Sequence, residues 1–179
     1  MPYGSWKGTP YCWSASDANA DSLLFKVEVR GKNESVWRTL KDKIQDRFYS
    51  FDTAALPDGE YVIRITASDA PANTEGQALV GSLESDPITI DNTPPEIAGV
   101  KVVSDGAKRS ITFTAKDALS WIDRAEVSVN GGDWTLLNPV GKVTDSQVLS
   151  YEVKAAPGEM IAIRVFDEDD NVVVKQLPL

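Results

Sequence analysis

Apolar and polar residues alternate at every second position in several stretches of this chain. In residues 24–30 (LFKVEVR), Phe25, Val27 and Val29 alternate with charged side chains. The stretches at 61–68, 110–116, 125–130 and 161–166 follow the same rule. A period of two is typical of strands in an antiparallel sheet that buries one face. The pattern therefore predicts an all-β protein.

Turn-forming residues divide these strands at short intervals. The clearest turns are Pro-Asp-Gly at 57–59, Asp-Gly at 105–106, Asn-Gly-Gly at 130–132 and Pro-Gly at 157–158. Short alternating strands separated by such turns predict antiparallel β-sandwiches.

One segment departs from the period of two. Residues 40–48 (LKDKIQDRF) place Leu40, Ile44 and Phe48 four positions apart, which fits one face of a short helix. The corresponding stretch later in the chain, 136–145, contains a proline and a glycine that would break a helix. Two interpretations stay open, a short helix or a loop leading into a strand at 48–52.

The chain contains an internal repeat at an offset of roughly 97–100 residues. The aligned pairs are 13–17 (WSASD) with 113–117 (FTAKD), 22–40 with 122–137, 50–65 with 150–165, and Asp69 and Asn73 with Asp167 and Asn171. A repeat of this length is too long for a solenoid unit and indicates a duplicated domain.

The sequence DNTPPEI, residues 91–97, lies between the two copies. Each proline fixes its own φ, favours extended geometry in the preceding residue and cannot donate to a sheet. We therefore predict a short, stiff connection. The predicted domains are residues 1–92 and 93–179, each an antiparallel β-sandwich.

Trp13, Phe25 and the stretch at 56–69 are the landmarks of domain 1 that point to a known family. On these residues, domain 1 resembles a fibronectin type III domain. Trp13 stands where that family has the core tryptophan of its second strand, and Phe25 occupies the aromatic position of the third strand. The stretch LPDGEYVIRITASD at 56–69 resembles the family's turn into the sixth strand. The resemblance implies that Tyr61 forms a tyrosine corner, with its hydroxyl bonded to the backbone near Leu56.

Domain 2 keeps this pattern with two departures, Phe113 in place of the tryptophan and Met160 in place of the tyrosine. It is therefore more similar to a bacterial immunoglobulin-like module. The phrases DNTPP and ASDAPAN resemble tandem sandwich modules of large exported bacterial proteins. The resemblance implies a secreted or cell-surface protein of which this chain is a part, with its signal peptide elsewhere.

The composition argues against catalysis and against nucleic acid as a partner. The chain has no histidine, which removes the commonest general base and zinc ligand. Its 18 basic and 27 acidic residues give a net charge of −9, which opposes phosphate backbones. No apolar run approaches the ~18 residues of a membrane span. Cys12 is the single cysteine, and its aromatic neighbours predict a buried, inert thiol.

Acidic and amide side chains collect in loops that the predicted topology brings to one pole of each sandwich. In domain 1 these are Asp17, Asn19, Asp21, Asp69 and Asn73. The candidate metal ligands near the predicted junction are Asp58, Glu60, Asp91, Asn92, Asp117, Asp167, Asp169 and Asn171. Oxygen-bearing side chains are what Ca²⁺ needs, at about six to eight ligands. Two interpretations stay open, a calcium site or solvated turn residues with no cofactor.

Trp121 is the candidate ligand-binding residue. It lies in a predicted loop between Ser120 and Ile122 and has no aromatic counterpart in domain 1. It either caps the end of the sandwich or offers an exposed contact to a glycan or protein. Trp37 and Trp134 recur in the repeat, which favours packing roles for them.

These observations favour a non-catalytic spacer, presentation or adhesion module in a larger exported bacterial protein. Its partners would be the flanking domains of that protein, or protein and glycan ligands at a surface. The alternatives are a carbohydrate- or protein-binding module and a self-assembling structural subunit, with a monomer favoured.

Overall fold

The structure, a computed structural model, describes residues 10–74, 76–106, 108–141 and 145–177. The chain divides into two compact units, Met1–Ile90 and Asp91–Leu179. The predicted boundary after residue 92 falls just inside the second of these units. Each unit is built from antiparallel strands, as the period of two predicts.

The first unit contains seven described strands in two sheets. They are β1 (Pro10–Cys12), β2 (Leu24–Gly31), β3 (Arg38–Ile44), β4 (Phe48–Ser50), β5 (Gly59–Ser68), β6 (Val80–Glu84) and β7 (Ile88–Ile90). One sheet pairs β1 with β4, and the other has the order β3-β2-β5-β6. Strand β7 pairs with the start of β5, and β6 pairs with its end.

The core of the first unit follows the predicted alternation. Val27 and Val29 from β2 and Ile63 from β5 are almost fully buried, and Ile90 joins them from β7. Trp13 and Tyr11 pack against this core from the β1 side. The Trp13 ring meets Phe25 edge to face, with ring centroids 5.4 Å apart.

Two expectations for the first unit are wrong. Residues 38–44 form the strand β3, which pairs with β2 across two register shifts, so they are neither a helix nor a loop. The strand predicted to follow this segment is present as β4 (Phe48–Ser50). Cys12 is exposed. It lies on a strand between Tyr11 and Trp13, which face the core, and the alternation of a strand therefore turns its thiol outward.

The second unit also contains seven described strands. They are β8 (Glu96–Asp105), β9 (Lys108–Lys116), β10 (Ile122–Val129), β11 (Thr135–Leu137), β12 (Val148–Ala155), β13 (Ile161–Asp167) and β14 (Val172–Gln176). The sheets have the orders β12-β9-β8 and β11-β10-β13-β14. Their inward residues form one core that includes Phe113 stacked on Tyr151, with ring centroids 5.2 Å apart.

The predicted fold class is confirmed: the chain is all-β, with antiparallel immunoglobulin-like sandwiches. The predicted tyrosine corner is present in the first unit, where the Tyr61 hydroxyl donates to the carbonyl of Pro57 at 2.7 Å. The described residues include no helix with the length and hydropathy needed to cross a membrane.

Candidate functional site

Three aspartates of the second unit come together from separate segments of the chain. Asp91 is the first residue of the unit, Asp117 follows β9, and Asp167 ends β13. One carboxylate oxygen from each lies within 4.8 Å of the other two. The ends of β9 and β13 meet at one pole because these strands belong to the two facing sheets.

Backbone amides fix each carboxylate in place. Asp117 Oδ1 accepts from the amides of Leu119 and Ser120, at 2.9 and 3.1 Å. Asp167 Oδ1 accepts from the amides of Asp169 and Asn171, at 3.0 and 2.8 Å. These turns are typical of aspartate, whose short side chain bonds to backbone a few residues further on.

The side chain of Asn171 joins two of the segments. Its Nδ2 donates to Asp167 Oδ2 at 2.8 Å and to the carbonyl oxygen of Asp91 at 3.1 Å. Asn171 is itself 3% exposed, so both bonds lie away from solvent. The asparagine therefore holds the first residue of the unit against the end of β13.

The cluster concentrates negative charge in a buried place. Asp91 is 3% exposed and Asp167 is 1% exposed, while Asp117 is half-buried. Burial raises the pKa of Asp167. Hydrogen bonds from Asn171 oppose this rise, and the charges of Asp91 and Asp117 add to it. Among the described residues, no ion pair reaches any of the three carboxylates.

The structure brings together three of the eight predicted metal ligands. Asn171 acts as a hydrogen-bond donor beside the cluster, and Asn92 follows Asp91 in a half-buried position. Asp169 is exposed. Asp58 and Glu60 belong to the first unit, where Glu60 accepts from Lys32 Nζ at 2.8 Å.

A second acidic cluster lies in the first unit. Carboxylate oxygens of Asp17, Asp21 and Asp69 are also within 4.8 Å of one another. These loop aspartates were not among the predicted ligands, although the internal repeat pointed to them. Asp17 aligns with Asp117, and Asp69 aligns with Asp167.

Trp121 lies in the loop that follows Asp117. It is 49% exposed, although its neighbours Ser120 and Ile122 are buried, and Leu119 beside it is 42% exposed. The Trp121 carbonyl accepts from the amide of Glu168 at 3.0 Å, which ties this loop to the one after β13. Trp121 is therefore a half-exposed tryptophan four residues after Asp117 of the acidic cluster.

The recurring tryptophans pack beside arginines on the polar face of the larger sheets. In the first unit the Arg64 guanidinium lies 4.2 Å from the Trp37 ring centroid and bonds to Glu28 at 2.8 Å. In the second unit Arg164 lies 4.5 Å from the Trp134 ring centroid and pairs with Glu126. The packing role predicted for these tryptophans is confirmed.

The first unit also has an apolar groove of about 700 Å³. Its walls include Tyr11 and Trp13 on one side and Leu79 and Leu83 on the other. Residues 1–9 precede β1 in the chain and lie outside the described residues.

Comparison with known proteins gives a likeness of fold only. No protein-family model matches the chain, and no curated protein matches it. Among solved structures, the FN1–FN3 domains of chicken contactin (CNTN1) align at 12% sequence identity and a TM-score of 0.41. The alignment covers 98% of this chain and 64% of that one, so this chain spans less than two thirds of its length. At this level the likeness carries no argument about function.

Proposed function

We propose that the chain is a non-catalytic spacer, presentation or adhesion module, built from two immunoglobulin-like sandwiches. One observation carries the proposal. Ile90 is 2% exposed in the core of the first unit, and the next residue, Asp91, is 3% exposed in the second unit. The last buried residue of the first unit and the first buried residue of the second are therefore adjacent in the chain. Such a connection maintains the separation of two domains better than a flexible linker does.

The residues after Asp91 support the same role. The Asp91 side chain accepts from the amide of Thr93 at 2.9 Å, and its carbonyl is held by Asn171. Pro94 and Pro95 then restrict the backbone up to the start of β8. A module that presents flanking domains at a set separation needs a connection with few accessible conformations.

Electron spin resonance between two labels tests the proposal. Cys12 is exposed and is the only cysteine, and Lys154 is exposed on β12, so Lys154→Cys supplies a second label site. We expect a narrow distribution of distances between the labels. A matched variant with Gly-Ser-Gly-Ser inserted between Ile90 and Asp91 is expected to broaden it. An equally broad distribution without the insertion would contradict the spacer role.

The proposal extends to an exported bacterial parent protein at the cell surface or beyond it. Support comes from the resemblance of DNTPP and ASDAPAN to phrases of tandem sandwich modules in such proteins. Determination of the complete gene sequence tests this part: we expect further sandwich modules and an export signal. A parent protein made only of cytosolic enzyme domains would contradict it.

A second candidate function is the binding of a glycan or protein ligand at the loop of Trp121. The specific observation is the 49% exposure of the Trp121 residue between two buried neighbours. An exposed tryptophan offers a large, rigid contact area to sugars and proteins. Glycan-array binding by the native chain that disappears in Trp121→Ala is the expected result, and binding unchanged by the substitution would refute it.

A further inference from the structure

The acidic cluster of the second unit contains a buried oxygen that lacks a partner. Asp91 Oδ1 accepts from the amide of Thr93, but Asp91 Oδ2 is shielded from solvent and has no hydrogen-bond partner among the described atoms. Removing a carboxylate oxygen from water without a compensating partner is costly. Asp91 is only 3% exposed, and its carboxylate is part of the three-aspartate cluster.

The acidic cluster has no ion-pair partner among the described residues to offset the cost. Three formal negative charges converge within 4.8 Å, and no basic side chain among the described residues pairs with them. Arg124, which has the Asp170 carboxylate at 3.8 Å, pairs with Asp123 and Glu126 instead of the cluster. Like charges held together away from water require a counterion or a shared proton.

In all three aspartates, the described backbone amides bond to the Oδ1 atom and not to Oδ2. Asp117 and Asp167 each use Oδ1 for two backbone amides, and Asp91 uses Oδ1 for one. Within the described part of the chain, Asp167 Oδ2 accepts from the Asn171 side-chain amide, and Asp91 Oδ2 has no hydrogen-bond donor. The turns therefore fix the carboxylates and keep coordinating oxygens available.

From these observations we infer that Asp91, Asp117 and Asp167 bind a hard divalent cation, with Ca²⁺ the best fit. All donors are oxygens, which disfavours softer metals such as Zn²⁺ that take nitrogen and sulfur ligands. Ca²⁺ accepts irregular sets of mono- and bidentate carboxylates and completes its shell with water or backbone carbonyls. Mg²⁺ demands stricter octahedral geometry and retains its own water, so it binds here more weakly.

The acidic cluster of the first unit provides an internal control. Asp69 Oδ1 accepts from the amide of Leu79 at 2.7 Å, and Asp17 Oδ1 accepts from those of Asn19 and Asp21. Among the described atoms, this cluster has no buried carboxylate oxygen without a partner. This cluster has the same number of aspartates but, among the described atoms, no counterpart of the unpartnered Asp91 Oδ2, so the inference does not extend to it.

Calorimetric titration of the full, metal-stripped chain tests the inference. We expect saturable Ca²⁺ binding, a rise in melting temperature, and a weaker response to Mg²⁺. Asp91→Asn removes one charge with little change of shape and is expected to weaken Ca²⁺ binding roughly ten-fold or more. Asp117→Asn is a second variant with the same expected effect, should the first fail to fold.

Two matched variants make the same chemical change elsewhere. Asp69→Asn alters the repeat-related aspartate of the first unit, and Asp170→Asn alters an exposed aspartate beside Asp167. Both are expected to leave the affinity unchanged. Ca²⁺ is also expected to shift the amide resonances of the Asn171 side chain. No heat and no thermal shift in the native chain, or native affinity in Asp91→Asn, would overturn the inference, and neither outcome bears on the spacer role.

Discussion

Two buried tyrosines, one in the core of each unit, differ in whether the hydroxyl has a hydrogen-bond partner. Tyr61 is 9% exposed and donates its hydroxyl hydrogen to the carbonyl of Pro57. Tyr151 is 1% exposed, and its hydroxyl has no partner among the described atoms. A buried polar group without a partner reduces stability, whereas a satisfied one contributes to it.

The same substitution is therefore expected to have opposite effects at these two sites. Tyr61→Phe removes the corner hydrogen bond and is expected to lower the free energy of unfolding by about 1 kcal/mol. Tyr151→Phe keeps the ring stacked on Phe113 and removes only the unsatisfied hydroxyl, so stability is expected to rise by up to ~1 kcal/mol. Urea denaturation of both variants gives the signs, and a large loss in Tyr151→Phe would show that the hydroxyl has a partner.

Tyr151 also sets an expectation for alkaline pH. Burial, with a smaller contribution from the charge of Asp123, raises the pKa of Tyr151 to about 12. The neutral phenol is favoured in the folded state, so its contribution to stability is complete below the unfolded pKa of about 10. That contribution is lost as pH rises from there towards 12. Ultraviolet titration of phenolate absorption is expected to show a tyrosine that ionises towards pH 12 and is absent from Tyr151→Phe, and identical titration curves for the native chain and this variant would contradict the expectation.

The environment of a single residue was predictable from sequence where one local rule applied. The prediction failed where two rules gave different answers. The Tyr61 corner follows from a local turn and a resemblance, and it is present. Cys12 was expected to be buried because its neighbours are aromatic, but strand alternation decides which side chains face inward. Because Tyr11 and Trp13 face the core, the alternation of side chains along the strand places the thiol of Cys12 on the outer face.

At the scale of elements, β3 shows why one segment was misread. Leu40 and Ile44 lie four residues apart, and this spacing places two side chains on one face of a strand as well as on one face of a helix. Both side chains do pack against the core of the first unit, from a strand. Register shifts against β2 and a positive φ of 56° at Lys43 add irregularity that spacing alone does not reveal.

The polar faces of the two larger sheets share one arrangement of arginine, glutamate and tryptophan. Glu28 is 5% exposed on β2 and lies between Lys26 and Arg64, with contacts of 2.7 and 2.8 Å. Burial tends to raise the pKa of Glu28, but hydrogen bonds from Lys26 and Arg64 outweigh it and hold the pKa below its ordinary value. Arg64 also stacks on Trp37, so one side chain links strands β2, β5 and the approach to β3.

Removal of Arg64 is expected to weaken this sheet. Arg64→Ala takes away the stacking on Trp37 and leaves the buried Glu28 with Lys26 as its ion-pair partner, so we expect a loss of about 1–2 kcal/mol in the free energy of unfolding. Arg38→Ala breaks the exposed Arg38–Glu34 pair on the same sheet and is expected to have no measurable effect. Chemical denaturation measures the free energy of unfolding of both variants. Equal losses would show that removal of any positive charge, rather than loss of the contacts with Glu28 and Trp37, causes the effect.

At the scale of the whole molecule, the repeat was readable from one sequence because duplicated strands keep their landmarks. The acidic site was only partly readable. Sequence placed Asp117 and Asp167 at strand ends and Asp91 in the seam, and these three converge. The contribution of Asp58 and Glu60, which belong to the first unit, stays a prediction, because the pattern of strands does not supply the placement of loops from separate units.

The last prediction concerns the residue at which the second unit begins. The sequence pattern predicts a start at residue 93, whereas the compact unit in the structure starts at Asp91. A fragment of residues 91–179 keeps Asp91, its carbonyl bond from Asn171 and the proposed cation site, whereas a fragment of residues 93–179 has lost them. We expect both to fold, because their core residues begin at Ile97, but only the longer one to gain melting temperature with Ca²⁺. Asp91→Asn in the longer fragment separates loss of the carboxylate from the new terminal amine of the shorter one. Equal stabilisation of both fragments by Ca²⁺ would place the cation elsewhere, because the shorter fragment has no Asp91.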